Sequence, residues 1–222
     1  MTRALVSFRK ALSTLPPEST QALLVASRAR GPLWAAALSG VEKNRGTWRQ
    51  VLGPFGAVIG RNGFAPPGEK REGDGKTPSG VFPLEHTFGY AERISTGMTY
   101  RPIRDGDIWV DDPESCEYNR WTERGQMDGV SFEAMRRKDD LYKYGIVIGY
   151  NRDPVVKGHG SAVFLHIWQA YDVPTSGCVA LAEGDLLEIL AWLDPSRRPL
   201  VIMGGEEGGP SFSPPFEAPN LA

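Results

Sequence analysis

The chain has 222 residues, enough for one domain with a full hydrophobic core. Hydrophobic residues make up 41% and charged residues 23%, with a formal net charge of −2, which argues for a globular chain and against wholesale nucleic-acid binding. Two cysteines make no disulfide framework, the cysteines and histidines show no CxxC or HxxxH spacing for a metal, and no apolar run approaches the roughly 20 residues of a transmembrane helix or the about 7–15 of a signal-peptide core.

Gly 26 and Pro 18 are both high, which favours many turns and short strands. Residues 1–20 read as a polar, Pro-containing lead-in. Gln21–Arg28 and Leu33–Val41 read as two strands around Gly31-Pro32. Trp48–Leu52 and Ala57–Gly60 read as a second pair around Gly53-Pro54. Phe64–Gly80 is a long polar loop, a length usually functional or mobile. Within it Gly73-Asp74-Gly75-Lys76-Thr77 lacks the spacing of a phosphate loop.

Asp107–Pro113 reads as a strand ending in a turn, and Cys116 beyond it as an incidental thiol. Ser131–Lys143 has a partly helical period in Phe132, Met135 and Leu141. Arg136-Arg137-Lys138, followed at once by Asp139-Asp140, would be its solvated face. Tyr144–Asn151 and Ser161–Trp168 are continuous apolar runs, the pattern of buried strands. After Cys178, Leu186, Leu187, Leu190 and Leu193 fit one helical face, and Pro195 follows its end. Arg198–Gly204 is a last strand. The expected organisation is a lead-in over 1–20, a single mostly-β domain with two helices over 21–203, and a flexible Gly/Pro-rich tail over 204–222.

The chemistry concentrates in "FLHIWQAYDVPTSGCVAL", Phe164–Leu181. A buried cysteine usually packs as a small hydrophobe, and a strand histidine usually satisfies a core hydrogen bond. Three features point instead to a nucleophile with its base. Cys178 follows the turn Pro174-Thr175-Ser176-Gly177, near an expected helix start that would lower its pKa. Gly177 lets backbone amides approach a substrate closely enough to hold an oxyanion. His166 lies 12 positions upstream, where a strand, a loop and a return bring an imidazole to a thiol.

His166 followed by Thr175-Ser176-Gly177-Cys178, with Thr77-Pro78-Ser79-Gly80 upstream, resembles the L,D-transpeptidase catalytic domain, the YkuD-like family. Gly60-Arg61-Asn62-Gly63, Trp109–Pro113, Tyr118-Asn119 and Gly160–His166 are similar to a bacterial branch of it, and the likeness runs from about Ala57 to Met203. It implies a mostly-β YkuD-like fold of mixed sandwich or barrel-like sheets with a few helices. It also implies a cysteine acyltransferase acting on peptidoglycan stem peptides without metal or organic cofactor. Cys178 would be the nucleophile, His166 the base, and the backbone around Ser176 and Gly177 the oxyanion site. Arg61, Thr175, His159 and Asp112 are candidates to touch substrate, though a loop histidine and an Asp-Asp-Pro turn are the plainer readings of the last two. Tyr118 and Asn119 read as structural.

The chain departs from the family in one place: many members carry Gly-Cys-Ile/Val-Arg, and here the run ends in Ala180. A charge is lost beside the nucleophile. L,D-transpeptidation is therefore the first reading. An L,D-carboxypeptidase or amidase on the same site, or a silent wall-peptide binding module, are the alternatives. The family works in the bacterial cell envelope, whereas no signal peptide is visible in this sequence.

Overall fold

A computed structural model describes residues 8–28, 30–125 and 129–205; the tail read over 204–222 lies outside it from residue 206 on. A short helix α1 (Arg9–Ser13) leads into β1 (Gln21–Ser27), β2 (Ala35–Asn44) and β3 (Thr47–Val58). A two-residue strand β4 (Phe64–Ala65) and its partner β5 (Thr77–Pro78) follow, then β6 (Gly80–Gly89) and β7 (Tyr100–Pro102). Next come β8 (Asp107–Val110), β9 (Trp121–Glu123), β10 (Phe132–Ala134), β11 (Tyr144–Ile148), β12 (Phe164–Ile167) and β13 (Val179–Leu181). Helix α2 (Glu183–Trp192), a 3-10 turn (Pro195–Arg197) and β14 (Leu200–Gly204) complete the order.

Eight strands close on themselves in the order β6-β11-β12-β13-β3-β2-β1-β14 and back to β6, with β7 extending one edge. The barrel is mixed: β12–β13 and β1–β14 run parallel and the other pairings antiparallel. Strand alternation sends one set of side chains inward. Leu23, Val25, Leu38, Ala57, Ile146, Leu165, Val179 and Met203 meet there, joined by Leu186, Ile189 and Leu190 of α2. Closure leaves those strands no free edge.

Two patches of the outer face are apolar, and each is covered. Ala22, Leu24, Val41 and Ile202 lie under Phe8, Ala11, Leu12 and Leu15. The segment expected as a polar lead-in thus packs onto the barrel; its apolar residues stand at helical spacing, which turns one face toward the strands. Phe88, Val147, Phe164 and Cys178 lie under Trp109, Met135 and Tyr142. This second cover is the antiparallel sheet β10-β8-β9, which carries Trp109, together with the segment between β10 and β11, which carries Met135 and Tyr142.

The structure corrects several local expectations. Gly53-Pro54 is not a turn between two strands: β3 runs through it, and shifts in register against β2 absorb the extra residues as bulges. Ser131–Lys143 is not a helix. Phe132, Glu133 and Ala134 pair in register with Val110, Trp109 and Ile108, and this pairing overrides a weak local period. The Arg136–Asp140 charges therefore lie on turns, with Arg137 bound to Asp139 through two hydrogen bonds of 2.8 and 2.7 Å. The 64–80 loop is held in place, because β4 pairs with β5 and the Asp74 carboxylate accepts from Lys70 Nζ and from the Arg71 and Lys76 amides. Among the described residues no helix is long and apolar enough to cross a membrane.

The α1 cover is testable. Phe8 is 2% exposed, so Phe8→Ala should cost about 3 kcal/mol of unfolding free energy. Urea denaturation measures this; an unchanged midpoint would mean that the segment does not pack as described.

Candidate functional site

The site is set by the register of two parallel strands. Leu165 pairs with Val179 and His166 with Ala180. Leu165 and Val179 point into the barrel, so Phe164, His166, Cys178 and Ala180 share the outer face. His166 and Cys178 are thereby diagonal neighbours on that face. On the other side His166 stands opposite Gly145, where an added Cβ would lie 2.2 Å from the Phe88 ring. Glycine is required there because that ring fills the space.

Cys178 is only 8% exposed. Its Sγ–H donates to the Ala162 carbonyl at 3.1 Å, and Sγ accepts from the Phe164 N–H at 3.4 Å. Ala162 holds a left-handed φ of 51°, costly for a residue with a Cβ. Asn119 holds it there: its Oδ1 accepts from the Ala162 N–H and from Trp109 Nε1–H, and its Nδ2 donates to the carbonyls of Tyr150 and Asn151. Tyr118 donates to Glu72 Oε2 at 2.5 Å and accepts from the Gly160 N–H. This pair thus braces the wall that receives the thiol.

His166 is 6% exposed, and its Nδ1–H donates to its neighbour's carbonyl, Ile167 O, at 2.7 Å. That bond selects the tautomer with Nε2 free to accept a proton. Tyr142 packs edge-on against the ring, centroid to centroid 5.2 Å, and its hydroxyl donates to Glu133 Oε2.

Burial dominates the titration of both groups. It pushes the Cys178 thiol up to about 12, and the negative charge of Glu133 adds to this, while Lys70 and Arg137 oppose it. Burial takes His166 down to about 4, partly offset by its bond to Ile167. The resting pair is therefore a neutral thiol beside a neutral imidazole. This corrects the expectation of a thiol acidified by a helix N-terminus: the three residues of β13 separate Cys178 from α2, so no helix end reaches the sulfur.

The Thr-Pro turn explains itself in the same region. The buried Thr77 hydroxyl accepts from the Gly60 N–H at 2.9 Å and donates to the Cys178 carbonyl at 3.3 Å. Thr175 Oγ1 donates to that carbonyl at 2.7 Å and accepts from the Gly177 N–H at 3.1 Å. Gly177 has φ +154°, and a Cβ there would lie 2.9 Å from the Lys76 carbonyl. The Thr175–Cys178 loop is thus clamped against the 64–80 loop.

The remaining sequence candidates are spread around it. Exposed Ser176 accepts a long 3.4 Å hydrogen bond from Arg61 Nη1, which brings Arg61 beside the Thr175–Cys178 loop. Asp112 caps its own turn by accepting from the Glu114 N–H. His159 is held through its backbone, its carbonyl accepting from the Tyr150 hydroxyl at 2.6 Å. Ala180 is fully buried. Cys116 is exposed and unpaired. Glu133, Tyr142, Ala162 and Lys70, which is 4% exposed and bound to Asp74 at 2.7 Å, carry no local signature. Among the described residues no three His, Cys, Asp or Glu side chains are placed to hold a metal.

Comparison with known proteins gives a match to the family model of YkuD, the L,D-transpeptidase catalytic domain, over residues 34–202. Comparison with curated proteins gives no match. Among solved structures, the chain is similar to the helical cell shape determining protein Pgp2 from Campylobacter jejuni, at 15% identity and a TM-score of 0.45. That alignment covers 93% of this chain and 57% of that protein, so the chain spans little more than half of its length.

The neutral pair makes a direct prediction. In NMR titration the His166 ring should stay neutral down to about pH 5 and protonate near 4. The unfolded imidazole protonates near 6.5, so the unfolded state binds the proton first as pH falls. Stability is full above 6.5 and declines toward 4, by about 3 kcal/mol for this ring. A His166 midpoint at 6.5 or above would show an open or ion-paired site instead.

Proposed function

Because the chain belongs to the YkuD family of L,D-transpeptidase catalytic domains, we propose that it is a cysteine acyl-transfer enzyme of peptidoglycan stem peptides that resolves its acyl-enzyme with water, an L,D-carboxypeptidase. The observation that carries the hydrolytic reading is the cover over the nucleophile. Cys178 keeps 8% of its surface beneath the β8–β10 sheet. Once the donor stem is bound as the thioester, water needs little further room at that carbonyl, whereas a second stem peptide needs a wide approach to the same atom. Ala180, where many relatives carry an arginine, removes a charge from this face and is in keeping with that reading.

The chemistry runs through groups already described. The Cys178 thiol leaves the Ala162 carbonyl and passes its proton to His166 Nε2, whose free lone pair is fixed by the Nδ1–H bond to Ile167. The sulfur attacks the carbonyl of the diamino-acid residue. Gly177 already donates its amide to Thr175 Oγ1, so the oxyanion falls to the adjacent backbone amides at Ser176 and Cys178. The imidazolium returns the proton to the departing amine, D-alanine leaves, and a thioester remains. His166 then takes a proton from water, which attacks the thioester and frees the tripeptide and the thiol. Transfer to an amine of a second stem, the transpeptidase outcome, is the second reading, favoured by the family itself. The cell envelope is the compartment in which either reaction would meet this substrate.

Purified protein and Cys178→Ala should be incubated with disaccharide-tetrapeptide and the products weighed by mass spectrometry. Wild type should release D-alanine and tripeptide, with a loss of at least about 10³-fold in the variant. Cross-linked dimers from wild type alone would replace hydrolysis with transpeptidation. No Cys178-dependent product with any acceptor would overturn the enzyme reading.

A further inference from the structure

Glu133 is a carboxylate at the nucleophile that the reaction just described does not use. It projects from β10, at one edge of the covering sheet, and its side chain keeps 31% of its surface. Its Oε2 accepts from the Tyr142 hydroxyl, and Tyr142 packs in one cluster with Cys178 and against the His166 ring. Its nearest cation is shared: Arg137 Nη1 is 4.0 Å away, a loose ion pair, while the same guanidinium makes two short hydrogen bonds to Asp139. Lys70, the other cation acting on Cys178, is bound to Asp74 at 2.7 Å. Glu72 and Asp111 add negative charge around Glu133, and one oxygen of Asp111, Oδ1, is buried with no hydrogen-bond partner. A partly open carboxylate beside a nucleophile, with the local cations already committed, is matched by a positive group on the substrate.

We propose that Glu133 is the specificity-determining residue of this site: it receives the free ammonium of the substrate's diamino-acid side chain, and that pairing eases the loss of the Cys178 proton. The inference rests on the stem-peptide reading above and deepens it. The side chain of a diamino acid carries its ammonium several bonds from the carbonyl under attack, which suits a carboxylate at the edge of the site and not one touching the sulfur. Glu133 is itself held toward its protonated form by burial first and by Asp111 and Glu72 next, with Tyr142 and Arg137 opposing. That shift leaves the carboxylate able to ionise, and an arriving ammonium would offset its charge and with it its field on the sulfur. The thiol proton then leaves for His166 more readily when the correct substrate is bound. Nucleophile activation and substrate choice are one event in this arrangement.

The test has two arms. The first titrates the thiolate by its ultraviolet absorbance in a Cys116→Ser background, with Cys178→Ala as blank. Glu133→Gln should lower the Cys178 midpoint by about 1 pH unit, while Glu133→Asp keeps the wild-type value. An unchanged midpoint in a folded Glu133→Gln protein overturns the proposal. The second arm needs only the wild type: tetrapeptide with a free side-chain amine against the same peptide with that amine acetylated. The acetylated peptide should react at least about 10-fold more slowly in kcat/KM, and in Glu133→Gln the two should converge. Equal rates on both peptides in wild type overturn the proposal and leave the stem-peptide reading standing. Absence of Cys178-dependent turnover of either peptide overturns that reading, and the ammonium assignment with it.

Discussion

The architecture depends on the alternation of side chains along two short parallel strands. In β12 and β13, Leu165 and Val179 go into the barrel while His166 and Cys178 go out. A slip of one residue in β13 would turn the thiol into the barrel, and one in β12 the imidazole, while Val179 or Leu165 went to the outer face. Every neighbour helps forbid that slip. The barrel closes through β11 and β3 on either side, and the Thr77 and Thr175 hydroxyls both grip the Cys178 carbonyl. The register that packs the core is also the register that presents the chemistry.

The outer face needs a cover because Phe88, Val147 and Phe164 are apolar, and covering them also buries Cys178. Burial keeps thiol and imidazole neutral, so no charge is stranded in the unliganded protein. The Ala162 carbonyl, held in a left-handed turn by Asn119, gives the thiol proton an acceptor at rest. Charge separation is thus deferred until a substrate supplies its own polar groups. Glu133 belongs to the same logic, since it comes from the cover and not from the barrel.

Much of this was legible in the sequence. The apolar runs that became β1, β11, β12 and β14 are strands buried on the barrel side, and the Cys motif with its upstream histidine pointed to two segments that the structure sets side by side. Phe8, Ala11, Leu12 and Leu15 stand at helical spacing, a signal the Pro-rich surroundings obscured. Gly53-Pro54 reads as a turn in any local window; only the long partner β2 shows that the strand continues. Phe132 and Met135 mimic a helix period because β10 is three residues long and Met135 is buried by tertiary contact. Glu133, Tyr142 and Lys70 were not legible at all. Each acts on the thiol from a different segment, and no spacing in the chain announces a meeting made by folding.

The central claim is that Cys178, buried and neutral at rest, becomes the acyl carrier. The most direct measurement is intact-protein mass spectrometry of an acid-quenched reaction with disaccharide-tetrapeptide, followed by peptide mapping. The account predicts an adduct equal to the muropeptide less D-alanine, carried on the Val163–Leu181 region at Cys178, labile to hydroxylamine and absent from Cys178→Ala. Release of D-alanine with no adduct at any quench time, persisting in Cys178→Ala, would contradict it.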